Sequence, residues 1–151
     1  MLFEVEKKIE DIKTSLKGRK INSAELFKVE SSWTSYPAEL LSILKRHAVI
    51  GQTFSMPEDV DLSEMGVELK WMNIEEQLEE SLEYYPGKVA LKKGFLPIGK
   101  CLSGSGDPYF LKIDELVELY RVPHDSVRDD ELDSNLIEHV GSLVTLFEYV
   151  E

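Results

Sequence analysis

Apolar residues recur at every third or fourth position near the start of the chain, with lysines and glutamates between them. This spacing is typical of an amphipathic helix with one apolar stripe. The stripe comprises Leu2, Val5, Ile9, Ile12 and Leu16. Because Gly18 follows and glycine commonly ends helices, the pattern predicts an N-terminal amphipathic helix over residues 1–18.

Two further helices are expected in the first third of the chain. A short one over residues 24–29 has Asn22 or Ser23 available as its N-cap. The next begins at Pro37, which suits the first helical position, and ends near His47. The apolar side chains expected to be buried here are Trp33, Leu40, Leu41 and Leu44.

Two more helical patterns lie in the second half of the chain. Asn73 and Glu76 have the spacing of a capping box, which predicts a helix from Ile74 to about Tyr85. Its apolar side is expected to comprise Ile74, Gln77, Leu78, Leu82 and Tyr85. A closing helix over residues 134–150, capped by Asp133 or Ser134, is predicted from the remaining pattern. Its apolar face would comprise Leu136, Val140, Leu143, Val144 and Phe147.

Other segments show the pattern of β-strands. Residues 67–72 alternate between apolar and polar side chains, and a brief strand is expected at Gln52–Ser55. Three more strand-like runs cover residues 94–102, 108–113 and 117–122. The links between these three runs are short, which implies antiparallel pairing of neighbouring strands.

Helices at both ends, one helix in the middle and successive strands predict the α+β class, with an antiparallel sheet covered by helices. Residues 1–151 are expected to form a single domain, because 151 residues are about one domain long. The predicted core includes Phe95, Leu96, Ile98, Tyr109, Phe110, Leu111, Ile113, Leu119, Tyr120 and Val122.

Charge narrows the classes of partner. The chain carries 29 acidic and 17 basic side chains and a formal charge of −12, so nucleic acid and membrane surfaces are poor partners. The same charge fits either simple solubility or attraction of a basic protein. The charged start is unlike a signal peptide, and the single cysteine, Cys101, excludes an intrachain disulfide, so a cytoplasmic protein is expected.

The stretch "GSGDPYFL" at residues 104–111 has two interpretations. A phosphate-binding loop needs a helix directly after its glycines, whereas a strand follows here, and Pro108 has no N–H to donate. A turn is favoured, with positive φ at the glycines and backbone N–H groups bonded to Asp107. The turn would place Tyr109 and Leu111 on one face of the sheet and Phe110 on the other.

Evidence for catalysis is weak. Cys101, His124 and Asp125 are the residue types of a nucleophilic site, but no family signature surrounds the cysteine, and a buried inert thiol is the favoured interpretation. His124 and Asp125 are expected in a turn that leaves a strand. The three histidines have no metal-binding spacing, so no metal and no cofactor are expected.

The order of "FLPIG", "GSGDPYFLKI" and "VELYRVPHD", followed by a closing apolar helix, resembles the SUKH superfamily. Its members carry similar Leu-Pro-Phe/Ile-Gly, Gly-Asp-x-Tyr/Phe and Val-Tyr-x-x-x-His-Asp strands. The residues that match, and to which the resemblance gives structural roles, are Pro97, Gly99, Gly106, Asp107, Tyr109, Phe110, Tyr120, His124 and Asp125. The upstream "YPAELLSIL" resembles the family's helix, with Tyr36 where leucine is usual, and "AVIGQ" replaces the usual Asn-Gly.

The superfamily contains bacterial immunity proteins that neutralise toxins, often nucleases, and a yeast cell-wall regulator. The resemblance therefore implies a non-catalytic domain that binds a protein, most simply a basic toxin domain. The alternative is a regulatory interaction module without a toxin partner. Two acidic segments are the candidate contacts: Asp129, Asp130, Glu131 and Asp133, and Glu75, Glu76, Glu79, Glu80 and Glu83 on a helix. A solvated surface and assistance to a helix N-terminus are the alternative roles of these carboxylates.

Overall fold

Six strands form one antiparallel sheet in the computed structural model, which describes residues 2–151. The strands of the chain are β1 (Thr53–Met56), β2 (Val67–Trp71), β3 (Phe95–Cys101), β4 (Tyr109–Lys112), β5 (Glu118–Arg121), β6 (Val127–Arg128), β7 (Glu131–Leu132) and β8 (Glu138–Ser142). The large sheet has the order β1-β2-β3-β4-β5-β8, and β6 pairs with β7 in a separate hairpin. Every neighbouring pair is antiparallel, as the short links predicted.

Helices occupy the remaining segments. They are α1 (Phe3–Asp11), α2 (Ser23–Ser32), α3 (Ala38–Arg46), α4 (Ile74–Leu82), α5 (Gly87–Lys92) and α6 (Leu143–Leu146). Two of them begin with complete capping boxes, Asn22 with Glu25 and Asn73 with Glu76. The α+β class and the helix-covered sheet are confirmed. No helix among residues 2–151 is both long and apolar enough to cross a membrane.

The predicted closing helix is wrong. Residues 138–142 form β8, which pairs with β5, and only Leu143–Leu146 form an α-helical turn, capped by Ser142. Asp133 caps a short 3₁₀ turn at Ser134–Leu136 instead of an α-helix. The strand forms because it pairs with the otherwise open side of β5, whereas Gly141 would weaken a helix. Val140 and Leu143 are buried in the observed strand and turn, as they would be on a helix. Their apolar spacing therefore does not distinguish the two structures.

Two other helices are shorter than predicted. α1 ends at Asp11 and a 3₁₀ turn follows at residues 13–15, because the chain then runs to an antiparallel bridge between Arg19 and Ile50. α4 ends at Leu82, and α5 begins at Gly87 after Pro86.

The predicted apolar side of α4 is correspondingly wrong at its C-terminal end. Leu82 is 61% exposed and Tyr85 is 44% exposed, whereas Ile74 and Gln77 are buried. α5 instead packs on α4 at Gly87, where an added Cβ would lie 2.1 Å from the carbonyl oxygen of Glu80. Only glycine allows the two helices to approach so closely at this point.

The sheet has a core on each face. Tyr109 and Leu111 belong to the larger cluster, which includes side chains of α1 and α3, and Phe110 belongs to a smaller cluster with α5. The predicted alternation in β4 is therefore confirmed. Of the predicted core, Ile113 and Tyr120 are only half-buried, and the other eight residues are buried.

A buried arginine, which the sequence analysis did not single out, connects the loop of residues 57–66 to the sheet. Arg121 in β5 is 2% exposed and lies beside Asp61, with Nη2 3.3 Å from Oδ2. The same nitrogen donates to the carbonyl oxygen of Gly66 at 2.9 Å and to the hydroxyl of Tyr109 at 3.2 Å. Nη1 donates to Ser63 Oγ at 2.7 Å. The guanidinium thus contacts three parts of one loop and one neighbouring strand.

Electrostatics favour the charged form of this arginine. Burial alone would lower the pKa of Arg121, but its bonds to Tyr109 and Asp61 more than compensate and raise the pKa above its usual value. Asp61 is also satisfied, since its Oδ1 accepts bonds from the N–H and the hydroxyl of Ser63, each at 2.7 Å. The pair is therefore buried, charged and hydrogen-bonded on both sides.

Loop and terminal residues also cover the two outer strands of the sheet. The N–H of Leu62 donates to the carbonyl oxygen of Val140 in β8 at 2.9 Å. Val150 forms an antiparallel bridge with Phe54 in β1, and the N–H of Glu151 donates to Thr53.

Removal of one partner of the Arg121–Asp61 pair should be costly. Asp61→Leu leaves the buried guanidinium without its buried carboxylate, with only the partly exposed Glu138 at 3.6 Å, and is expected to lower the free energy of unfolding by about 3 kcal/mol. Combining it with Arg121→Met removes both buried charges, so the double variant should lose at least about 1 kcal/mol less than the sum of the single variants Asp61→Leu and Arg121→Met. Urea unfolding of the four proteins measures this coupling. Strictly additive losses would contradict the proposed importance of the pair.

Candidate partner-binding surface

The acidic residues of α4 divide into two groups. Glu75 and Glu83 are exposed and Glu79 is half-buried. Glu76 accepts the N–H of Asn73 in the capping box, and its other oxygen lies 3.8 Å from Lys100. The first three carboxylates are therefore available to a partner, whereas Glu76 has a role in the fold.

Glu80 also has a role in the fold. Its Oε2 accepts the N–H of Gly87 at 2.9 Å, which connects α4 to α5. Burial raises the pKa of the Glu80 carboxyl above its usual value, although this hydrogen bond acts in the opposite direction. Glu80 is thus a packing residue and leaves the set of candidate contacts.

The second acidic segment forms a hairpin rather than the plain link that the sequence suggested. Arg128 pairs with Glu131, and the two residues between them, Asp129 and Asp130, have φ values of 51° and 60°. Positive φ at both central residues is the geometry of a type I′ turn, which joins two strands most tightly. Asp129, Asp130 and Glu131 are exposed at its tip, whereas Asp133 accepts the N–H of Asn135 and so acts as a cap.

Tyr85 joins the two acidic segments. Its hydroxyl donates to Asp130 Oδ1 at 2.7 Å, across 45 residues of sequence. The neighbouring carboxylate raises the pKa of the Tyr85 hydroxyl, so the hydroxyl keeps its proton and remains a donor. Tyr85, which lies two residues after Glu83, therefore holds the hairpin tip against the segment that follows α4.

Exposed apolar side chains lie beside these carboxylates. Leu82 is 61% exposed and Tyr84 is 54% exposed, and both follow the acidic residues of α4 directly. We call Glu75, Glu79, Glu83, Asp129, Asp130 and Glu131, together with Leu82, Tyr84 and Tyr85, the acidic surface. Tyrosines among charged groups are common in protein interfaces, where they supply contact area.

The glycine-rich stretch forms a turn before β4. Gly106 has a φ of 71°, as predicted, but the prediction is wrong for Gly104, whose φ is not in the positive region. The role predicted for Asp107 is wrong: its Oδ1 accepts the backbone N–H of His124 at 3.0 Å and lies 2.6 Å from Nδ1 of the same residue. Asp107 therefore connects the turn to the end of β5 rather than closing a local turn.

The residue types of a nucleophilic site do not assemble into one. Cys101 Sγ lies 3.1 Å from Ser103 Oγ and 3.3 Å from Ser105 Oγ, and His124 has Asp107 as its partner rather than Asp125. The favoured interpretation of Cys101 as a buried inert thiol is wrong, because the residue is only half-buried. Burial alone would raise its pKa, but the serine hydroxyls outweigh this effect and lower the pKa. Residues 124–126 form the expected turn. Among the described residues, Cys101 and His124 share no hydrogen bond.

One cluster of two glutamates and a histidine could not be predicted from residue spacing in the sequence. Potential metal-ligating atoms of Glu6, Glu10 and His47 lie within 4.8 Å of one another. However, Glu6 is already paired with Arg46 at 2.7 Å and with His47 at 2.9 Å. The positive guanidinium beside Glu6 opposes a cation, so these contacts serve to join α1 to the end of α3.

Sequence reasoning found the acidic residues but missed their aromatic neighbours. The helical spacing predicts that Tyr84 and Tyr85 end the helix and that Leu82 lies on its apolar side. Pro86 and Gly87 could have indicated this exposure. The two residues interrupt the helix, so the residues just before them need not pack as part of its apolar side.

Replacement of Glu80 by glutamine should change how stability depends on pH. The pKa of Glu80 is higher in the folded protein than in the unfolded chain, so the protonated carboxyl favours folding relative to the charged one. This stabilisation is fully present below the unfolded pKa and is lost as pH rises through the folded pKa. Glutamine does not ionise, so Glu80→Gln should raise the melting temperature relative to wild type more at pH 7 than at pH 4. Thermal unfolding at both values tests this. Glu75→Gln, on the exposed side of the same helix, should show no such difference, and equal behaviour of both variants would contradict the assignment.

Comparison with family models, curated proteins and solved structures identifies no match to this chain.

Proposed function

We propose that this chain is a non-catalytic immunity protein that binds and neutralises a basic toxin domain. The observation that carries the proposal is the acidic surface, in which Tyr85 joins two acidic segments that are far apart in sequence. Such a surface combines carboxylates for long-range attraction with exposed aromatic and aliphatic side chains for contact.

The net charge of −12 supports a basic partner. Complementary charge raises association rates by steering the encounter, and toxins that cleave nucleic acid need basic surfaces to bind their substrate. An acidic protein that occupied such a surface would block access of the nucleic acid. The carboxylates of the acidic surface are exposed, except for the half-buried Glu79, so they can act in this way without a change of fold.

The resemblance to the SUKH superfamily supports immunity in particular. Five of the nine residues that carry it lie on three adjacent strands, namely Pro97 and Gly99 on β3, Tyr109 and Phe110 on β4, and Tyr120 on β5, and the other four lie in the turns next to β4 and β5. They are parts of the scaffold, and the acidic surface lies outside them. A variable binding surface on a constant scaffold suits a protein that must match one particular toxin.

Co-expression with the toxin encoded beside the gene tests the function. We expect the two proteins to co-purify, and the chain to protect cells that express the toxin. A folded chain that neither binds nor protects would contradict the immunity function for that pair.

The hairpin tip allows a conservative test of the surface. Asp129→Asn with Asp130→Asn removes two charges, keeps a residue type that tolerates the positive φ of a type I′ turn, and leaves an amide oxygen at residue 130 to accept the Tyr85 hydroxyl. We expect association with the toxin to slow by about three- to tenfold at low salt, and by less at high salt, while dissociation changes little. Stopped-flow mixing at two salt concentrations measures the effect.

The matched control removes the same charge elsewhere. Glu58→Gln with Asp59→Asn changes two exposed carboxylates in the loop of residues 57–66. Association that slows equally in both variants would indicate a general effect of net charge and would remove the hairpin tip from the binding surface.

A further inference from the structure

A groove lies on the face of the sheet that α5 and the β6–β7 hairpin cover only in part. Four consecutive strands contribute to it: Phe95 from β3, Lys112 from β4, Tyr120 from β5 and His139 from β8. These side chains share a face, because Phe95 is opposite Lys112 and Tyr120 is opposite His139 in the ladder. The cavity has a volume of about 370 Å³, which is within the range of small-molecule sites.

Aromatic rings form one side of the groove. The ring centres of Phe95 and Tyr120 are 5.6 Å apart and nearly perpendicular, and those of Tyr120 and His139 are 5.2 Å apart. Ile137, which is half-buried, adds an aliphatic side chain. A planar apolar group fits such a lining, since an aromatic ligand can add another offset or edge-to-face contact.

Two lysines supply positive charge to the groove. Lys112 Nζ lies 5.8 Å from the centre of both the Phe95 ring and the Tyr120 ring, and Lys93 lies at the rim. Among the described residues, no carboxylate forms an ion pair with either ammonium group. Both therefore retain donors for an anion.

The acidic groups nearest the rings are already engaged. Glu118 Oε2 lies 2.8 Å from His139 Nε2, and Glu115 accepts the hydroxyl of Tyr120 at 3.4 Å. Burial and the carboxylates around the Tyr120 hydroxyl raise its pKa, but none of these carboxylates lines the groove, whose charged lining groups are Lys93 and Lys112. The charge of the lining is thus opposite to that of the acidic surface.

We propose that this groove binds a small arylcarboxylate, with the aromatic ring against Phe95 and Tyr120 and the carboxylate beside Lys93 and Lys112. This site goes beyond the immunity function and does not depend on it. The ammonium groups of the lysines favour a ligand that carries a carboxylate, and the aromatic side chains favour a ligand with a planar ring.

Titration with phenylacetate, followed by two-dimensional NMR of the labelled protein at low salt, tests the site. A ligand of this size should bind with a dissociation constant of about 1–10 mM and shift amides of the groove strands saturably. Phenylacetamide, the neutral counterpart, should bind at least about fivefold more weakly, because it lacks the charge.

Variants assign the binding to the groove. Lys112→Met keeps the apolar stem and removes the ammonium, so phenylacetate should bind about fivefold more weakly while phenylacetamide is unaffected. Lys70→Met, at an exposed position on β2, is the matched control and should bind phenylacetate as wild type does. An unchanged spectrum away from the groove shows that each variant is folded.

Three results would overturn the proposal. They are no saturable shift up to about 20 mM phenylacetate, equal binding of the acid and the amide, and equal losses in the Lys112 and Lys70 variants. A groove that binds neither compound but becomes protected in a toxin complex would be a protein-docking surface, which also overturns it.

Discussion

The contact between Arg121 and Asp61 constrains more of the structure than any local pattern does. The segment between β1 and β2 has few apolar side chains and no regular structure, so burial of its own surface cannot hold it in place. Arg121 holds it by bonding a carboxylate, a hydroxyl and a carbonyl of the same loop. A buried ion pair adds little net stability, because desolvation offsets the attraction, but it penalises every arrangement that leaves one charge unpaired. The pair therefore selects one position for the loop.

Local sequence patterns predicted the elements whose stabilising contacts are local. Both capping boxes, the alternation of 67–71 and the opposite faces of Tyr109 and Phe110 follow from residues a few positions apart. β8 was missed because its partner β5 lies about 20 residues away, and pairing with β5 outweighed an apolar spacing that fits a helix equally well. Arg121 was missed for a similar reason, since 60 residues separate it from Asp61.

Local sequence patterns predicted the acidic surface only in part, for the same reason. Acidic composition alone identified Glu75, Glu83 and the hairpin carboxylates, but it also included Glu76, Glu80 and Asp133, which hydrogen-bond within the fold. Spacing already predicted capping roles for Glu76 and Asp133, whereas the bond of Glu80 to the N–H of Gly87 depends on how α5 packs against α4 and is visible only in the folded structure. The β6–β7 hairpin could not be inferred from two aspartates, because the usual signal for its turn is Asn-Gly or Asp-Gly. This hairpin supports both surfaces: its tip contacts Tyr85, and Leu132 lines the groove.

The covered edges of the sheet have a consequence for self-association. An open edge strand offers unpaired N–H and C=O groups to another chain and is a common starting point for aggregation. Here Leu62 bonds to β8 and Val150 bridges to β1, so each outer strand has a partner from the same molecule. Because Arg121 holds the loop that contains Leu62, a buried charge on the strand next to β8 also keeps that edge of the sheet covered. The ion pair is thus expected to oppose edge-to-edge association of copies, in addition to fixing the position of the loop.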